Sequence, residues 1–193
     1  MTDTPGALVT GSGRCGTGYL ARVLQEGGIN AAHEGWWTLH QDPVPNLAVD
    51  VSWLGCFDEG YGGPVYTLVR SPWECIPSIY NREFVNPRYH LLRRVTVPLV
   101  GDPVLDAALI WVGYTAHALK RSDNQFWRVE FLDADELHRA FGGDRDRLAR
   151  ALDAVPTDTN SEPHRGPYEW PDNWVWDEVC DLAEALGYDE GMP

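Results

Sequence analysis

A glycine-rich turn between a short apolar run and an amphipathic segment is the feature that most restricts how this chain can fold. The apolar run covers residues 7–10, the glycine-rich turn covers residues 11–16 (Gly-Ser-Gly-Arg-Cys-Gly), and residues 17–26 carry apolar side chains at helical spacing. Strand, turn and helix in this order can cradle a phosphate, because backbone N–H groups and the helix N-terminus favour negative charge. The sequence therefore predicts an anion-binding turn near the N-terminus.

The rest of the chain alternates short apolar runs with amphipathic segments. We predict further strands at residues 30–33, 65–69 and 126–131, and helices at residues 71–82, 104–120 and 174–186. Asp133 and Asp144 are expected to cap two short helices, and residues 157–173 are typical of a polar, proline-rich loop. This alternation indicates an α/β fold with a mainly parallel sheet, and the length of 193 residues indicates a single domain, 1–193.

Charge and hydropathy limit the partners of the chain. The net charge of −14 disfavours nucleic acid, an anionic membrane surface and heavily sulfated polymers as partners. The most apolar later stretch, residues 95–114, is interrupted by Asp102, Pro103 and Asp106, so we expect no membrane span there. The first residues lack a basic segment followed by a long apolar run, and we therefore expect no signal peptide.

The four cysteines lie far apart in the sequence, at positions 15, 56, 75 and 180. This spacing matches neither a zinc site nor a disulfide framework, so a reducing cytoplasm is the expected compartment. Cys15 precedes a predicted helix, and we expect it to react with thiol reagents if the helix N-terminus lowers its pKa.

Three interpretations of the glycine-rich turn follow from its residues alone. The nucleotide-triphosphatase pattern GxxxxGK[ST] requires lysine where this chain has Thr17. The dinucleotide pattern GxGxxG matches Gly11, Gly13 and Gly16, and Glu34 follows near the distance expected of a ribose-binding acid, but that pattern does not explain Arg14. A turn without a ligand is the third possibility.

The stretch VTGSGRCGTGYLARVL resembles the 5′-phosphosulfate loop of the sulfotransferases that use 3′-phosphoadenosine 5′-phosphosulfate (PAPS) as donor. Arg14 stands where that family has a basic residue, Cys15 replaces the usual serine, and Gly18 replaces a second hydroxyl residue. The resemblance implies that the donor is bound by Gly11, Ser12, Gly13, Arg14, Cys15, Gly16, Thr17 and Gly18. It also implies a P-loop NTPase-like fold of three layers with about four to five strands.

A second stretch, YTLVRSPWECIPSIYNR, resembles the strand, turn and helix that bind the donor's 3′-phosphate in the same family. Arg70 and Ser78 have the spacing of the two residues that act together there, and arginine suits a phosphate because its fork of donors is fixed. A late loop covers the 3′-phosphate in that family. By position this implies a donor contact from Arg165, although the family's Arg-Lys-Gly run is absent here.

The resemblance implies transfer of a sulfuryl group from PAPS to a hydroxyl or amine of a small-molecule or glycan acceptor, without a metal. Arg14 would stabilise the leaving oxygen, and a general base must take the acceptor proton. We rank Glu34 first as that base, followed by His33 and His40, because the end of the second strand faces the crevice of the sheet. Asp50 is a further candidate to line the site. A small nucleotide or metabolite kinase and an inactive nucleotide-binding homologue are the alternatives.

Overall fold

A five-stranded parallel sheet forms the centre of the computed structural model, which describes residues 4–38, 42–82, 99–157 and 173–188. In chain order, the strands are β1 (Ala7–Gly11), β2 (Ala31–His33), β3 (Val49–Val51), β4 (Val65–Val69) and β5 (Phe126–Arg128). Their order across the sheet is β2-β3-β1-β4-β5, and every neighbouring pair is parallel. All carboxyl ends therefore meet at one edge of the sheet.

Six helices accompany the sheet in the described ranges. They are α1 (Thr17–Glu26), α2 (Pro72–Tyr80), α3 (Pro103–Arg121), α4 (Ala134–Phe141), α5 (Arg145–Ala154) and α6 (Trp174–Ala185). The Asp133 carboxylate accepts hydrogen bonds from the first N–H groups of α4, and Asp144 accepts one at the start of α5. These contacts satisfy backbone donors that a helix leaves unpaired, and they confirm both predicted caps.

The helices lie on both faces of the sheet. On one face, Leu20 of α1, Leu137 of α4 and Leu148 of α5 share a buried cluster with Leu68. On the other face, α2, α3 and α6 share a second cluster with Val69. Successive residues of a strand point to opposite faces, so one strand serves both clusters. The structure confirms the predicted α/β class, with its parallel sheet between two helical layers.

The sequence predictions differ from the structure at two strands. The strand predicted for residues 126–131 ends at Arg128, because its neighbour β4 ends at Val69 and offers no partner beyond it. Residues Val129–Phe131 form a short 3₁₀ helix instead. Strand β3 was not predicted, because only three residues form it and Asp50 is the middle one.

Helices α2, α3 and α6 agree with their predicted bounds within one or two residues, and α1 has the predicted bounds. Most of the loop predicted for residues 157–173 lies outside the described residues. Among the helices that the structure describes, none has the combination of length and apolar character that crossing a membrane requires.

Candidate functional site

The candidate site lies at the carboxyl edge of the sheet, around β1. After β1 the chain forms β2 and β3 on one side of it and then crosses to form β4 and β5 on the other side. Ligands in open α/β sheets bind in the crevice at such a switch point. The glycine-rich turn continues directly from β1 into α1. Arg14 has φ 77° and Gly16 has φ 96°, both in the left-handed region. Left-handed residues in such a turn can direct several N–H groups to one side, which suits an anion.

Two glycines of the turn are required by packing and backbone geometry. A Cβ atom on Gly11 would collide with the carbonyl oxygen of Leu68 on β4 and would lie 2.6 Å from the Cys15 sulfur. Gly16 is the N-cap of α1, and a Cβ atom there would lie 2.9 Å from a methyl carbon of Val129. The close approach of β1 to β4 therefore accounts for Gly11 without a ligand.

Arg14 projects from the glycine-rich turn toward α2. Its Nε donates a hydrogen bond to the hydroxyl of Ser78, at 2.9 Å, and Ser78 is only 7% exposed. The family resemblance predicted that Ser78 acts together with Arg70, because of their spacing in the sequence. The structure instead brings Ser78 into contact with Arg14, because α2 packs along the turn.

Arg70 follows β4 and is held by Glu74 of α2. Its Nε and one terminal nitrogen donate to the same oxygen of Glu74, at 2.9 and 2.6 Å. The Arg70 side chain is 20% exposed and the Glu74 side chain is 54% exposed. One edge of the guanidinium therefore contacts Glu74. This ion pair was not predicted, although oppositely charged residues four positions apart often pair on a helix.

Two buried thiols line the inner side of the turn. Cys75 of α2 lies 3.6 Å from both the hydroxyl of Ser12 and the carbonyl oxygen of Gly13. Burial raises the pKa of Cys75 to about 11, although Arg70 and Arg14 partly oppose that rise. Cys15 is fully buried, and burial raises its pKa as well. The condition for a reactive Cys15, a pKa lowered by the helix N-terminus, is therefore not met, because the loss of hydration outweighs the charges nearby.

The first residue of α1 contacts the end of β2. The hydroxyl oxygen of Thr17 lies 3.1 Å from Nε2 of His33, at hydrogen-bond distance. The same Nε2 lies 3.6 Å from a carboxylate oxygen of Glu34. Glu34 has φ 53°, and its N–H donates to the carbonyl oxygen of Val51. The structure therefore brings together three of the predicted site residues, Thr17, His33 and Glu34. Gly18, another predicted site residue, is the second residue of α1 and is partly buried.

Asp50 supports the segment that follows Glu34. Its carboxylate is buried in the middle of β3 and accepts hydrogen bonds from the N–H groups of Gly35, at 2.8 Å, and Trp37, at 3.1 Å. Burial raises the pKa of Asp50, although these N–H groups and that of Trp36 oppose the rise. Asp50 therefore fixes the backbone of the turn after β2 by hydrogen bonds. Its position between two valines is the sequence feature that could have indicated a buried carboxylate.

Glu130 lies next to the turn between β4 and α2, which contains Arg70 and Ser71. Glu130 was not identified as a site residue from the sequence. One of its carboxylate oxygens accepts a hydrogen bond from the N–H of Ser71, and the other accepts one from the hydroxyl of Tyr188, both at 2.8 Å. Burial raises the pKa of Tyr188, and the charge of Glu130 adds to that rise. Glu130 thereby connects the 3₁₀ helix after β5 to the start of α2. A single glutamate in an exposed turn gives no sequence signal for such a role.

Two predicted site residues, Arg165 and His40, lie outside the described residues. In the part of the chain that the structure describes, no group of histidine, cysteine, aspartate or glutamate side chains is arranged to hold a metal ion.

Comparisons with family models, with curated proteins and with solved structures found no match to this chain.

Proposed function

We propose that the protein is a sulfotransferase that moves a sulfuryl group from PAPS to a hydroxyl or amine of a small-molecule or glycan acceptor. One observation carries the proposal: two arginines from separate strand–turn junctions, Arg14 and Arg70, lie at the glycine-rich turn of a chain whose net charge is −14. The charges of both arginines act on the buried thiol of Cys75, and so does the charge of Glu130. Glu74 and Glu130 offset part of this charge, but two guanidinium groups from separate turns still favour an anionic ligand with more than one phosphate.

The donor's two phosphate-bearing ends have distinct candidate partners. Arg14, Thr17 and the backbone of the glycine-rich turn would bind the 5′-phosphosulfate, beside the N-terminus of α1. Arg70 would bind the 3′-phosphate with the edge of its guanidinium that Glu74 does not occupy. Ser78 accepts a hydrogen bond from Arg14 and would help to orient that guanidinium.

The transfer needs positioning, charge stabilisation and one proton acceptor. The acceptor oxygen or nitrogen forms a bond to sulfur while the bond between sulfur and the bridging oxygen breaks. The electron pair of that bond stays on the 5′-phosphate of 3′-phosphoadenosine 5′-phosphate (PAP), where Arg14 stabilises the charge. The proton of the acceptor passes to the carboxylate of Glu34, which is 27% exposed and lies at the end of β2.

A reducing compartment such as the cytoplasm suits this proposal. The four cysteines, which all lie in the described part of the chain, form no disulfide, and Cys15, Cys56 and Cys75 are buried. Oxidation of Cys75 would disturb the packing of the glycine-rich turn against α2.

The donor assignment is tested by Arg70→Ala. PAP and 5′-AMP differ by the 3′-phosphate, so calorimetry should show that the variant loses about 1.5–3 kcal/mol of PAP affinity and little 5′-AMP affinity. Arg145→Ala is the matched control, because Arg145 is an exposed residue of α5 that pairs with Asp135 and Asp146. Equal binding of PAP and 5′-AMP to the unmodified protein would contradict the assignment.

The base is tested by Glu34→Gln. The amide preserves the shape of the side chain and removes the proton acceptor, so PAP affinity should persist while transfer from PAPS falls about 10²–10⁴-fold. Transfer is followed as PAP release with a panel of phenol, sugar and amine acceptors. Binding of PAP by the unmodified protein without transfer to any acceptor would favour the inactive homologue, and transfer from ATP with Mg²⁺ would favour a kinase.

A further inference from the structure

One nitrogen of His33 faces both the proposed donor site and the proposed base. Nε2 of His33 lies 3.1 Å from the hydroxyl oxygen of Thr17 and 3.6 Å from a carboxylate oxygen of Glu34. Thr17 is 5% exposed and is the first residue of α1, whereas the His33 side chain is 37% exposed. The contact therefore joins the helix that follows the glycine-rich turn to the end of β2.

The number of protons available decides which atom donates in this contact. A threonine hydroxyl has one proton, and a phosphate oxygen can only accept. If Thr17 donates its proton to the 5′-phosphate of the donor, its oxygen can only accept from His33. Nε2 of His33 must then carry a proton, and a nitrogen that already carries a proton cannot take another from the acceptor.

We propose that His33 is a positioning residue that couples donor binding to Glu34, and that its Nε2 is not the general base. The proposal rests on the proposed function. Bound donor commits the hydroxyl of Thr17 to the phosphate, which fixes the proton of His33 on Nε2. That N–H then faces Glu34, whose carboxylate takes the proton of the acceptor.

The surroundings of His33 agree with a fixed orientation. His33 pairs with Val51 across β2 and β3, and the N–H of Glu34 donates to the carbonyl oxygen of Val51 at 3.1 Å. The left-handed backbone of Glu34, at φ 53°, is uncommon for a residue with a side chain and persists where neighbouring contacts hold it.

A double-mutant cycle on PAP affinity tests the coupling without any acceptor. His33→Ala should weaken PAP binding about 3- to 10-fold, the size of one hydrogen bond, because the Thr17 hydroxyl loses its orientation. In the Thr17→Val background the same substitution should change PAP affinity less than about 2-fold. His33→Gln should bind PAP within about 2-fold of the unmodified protein, because its amide supplies an N–H near the position of Nε2. Equal effects of His33→Ala in both backgrounds would overturn the coupling.

The proton position is measured directly by NMR of the ¹⁵N-labelled imidazole, at a pH where imidazoles are neutral. With PAP bound, the proton should lie on Nε2 of His33, and Thr17→Ser should give the same result because it keeps the hydroxyl. A proton on Nδ1 alone in the PAP complex would overturn the proposal and return His33 to the position of candidate base. Failure of PAP to bind the unmodified protein would instead refute the proposed function, so the two failures are distinguishable.

Discussion

Asp50→Asn tests whether the buried carboxylate of β3 organises the turn that carries Glu34. Asp50 is fully buried, and its two oxygens accept hydrogen bonds from different N–H groups, those of Gly35 and Trp37. An asparagine side chain has one acceptor oxygen and one NH₂ group. The substitution therefore leaves one buried backbone N–H facing another donor.

Two opposing contributions decide how much stability Asp50→Asn loses: an unpaired buried N–H group and the removal of a buried charge. A buried donor without an acceptor costs about 1–3 kcal/mol. Burial also raises the pKa of Asp50, so the charged carboxylate is held there at a cost that the neutral amide avoids. We expect the free energy of unfolding at neutral pH to fall by about 1–2 kcal/mol, the lower part of that range. Asp153→Asn, at an exposed position of α5, should change it by less than about 0.5 kcal/mol.

Urea unfolding of both variants as a function of pH provides the assay. Because the folded-state pKa of Asp50 is raised, its contribution to stability is complete below the ordinary aspartate pKa and is lost as the pH rises through the raised value. Residue 50 of the asparagine variant does not titrate. The difference in free energy of unfolding between the unmodified protein and the variant should therefore be largest in acid and should narrow toward neutral pH. Equal stability of variant and unmodified protein throughout, or a deficit that widens with pH, would refute the reasoning.

Three further predictions concern the glycine-rich turn and its neighbours. Gly11→Ala should lower the free energy of unfolding by at least about 2 kcal/mol in urea, because the added Cβ atom collides with the β4 backbone; near-unchanged stability would contradict this packing. Cys15 and Cys75 should resist Ellman's reagent in the folded protein and react after unfolding, since both are fully buried with raised pKa values; rapid labelling of the folded protein would contradict it. Glu74→Gln should tighten PAP binding about 3- to 10-fold at low salt, because a negative charge beside Arg70 is removed; weaker binding by calorimetry would show that Glu74 orients Arg70 instead.

Local patterns in the sequence were sufficient to predict most of the fold. The bounds of α1 followed from helical periodicity and from the glycines on either side of it. Strand β3 did not follow, because an aspartate between two valines is buried only when β1 and β2 flank it. Edge strand β5 was predicted too long, because its length depends on where β4 ends.

The residues of the candidate site could be proposed from the sequence, but their pairings could not. The turn, Arg14, Thr17 and Arg70 could be selected from the sequence, because residue type and spacing carry their chemistry. The contact of Arg14 with Ser78 depends on how α2 packs against the turn, which no local pattern reports. The burial of Cys15 likewise depends on distant residues, those of α4 and α5 in its cluster, while the helix N-terminus alone favours a reactive thiol.

The central claim is that the carboxyl edge of this sheet recognises an adenine nucleotide with phosphates at both the 5′ and 3′ positions. Its most direct test is the melting temperature of the unmodified protein with PAP, 5′-AMP, ATP, ADP or NAD, because a ligand that binds only the folded state stabilises it. PAP should raise the melting temperature most. It should also bind about 10- to 100-fold more tightly than 5′-AMP, as expected for a charged hydrogen bond to the 3′-phosphate. Stabilisation by ATP or NAD without stabilisation by PAP would contradict the account.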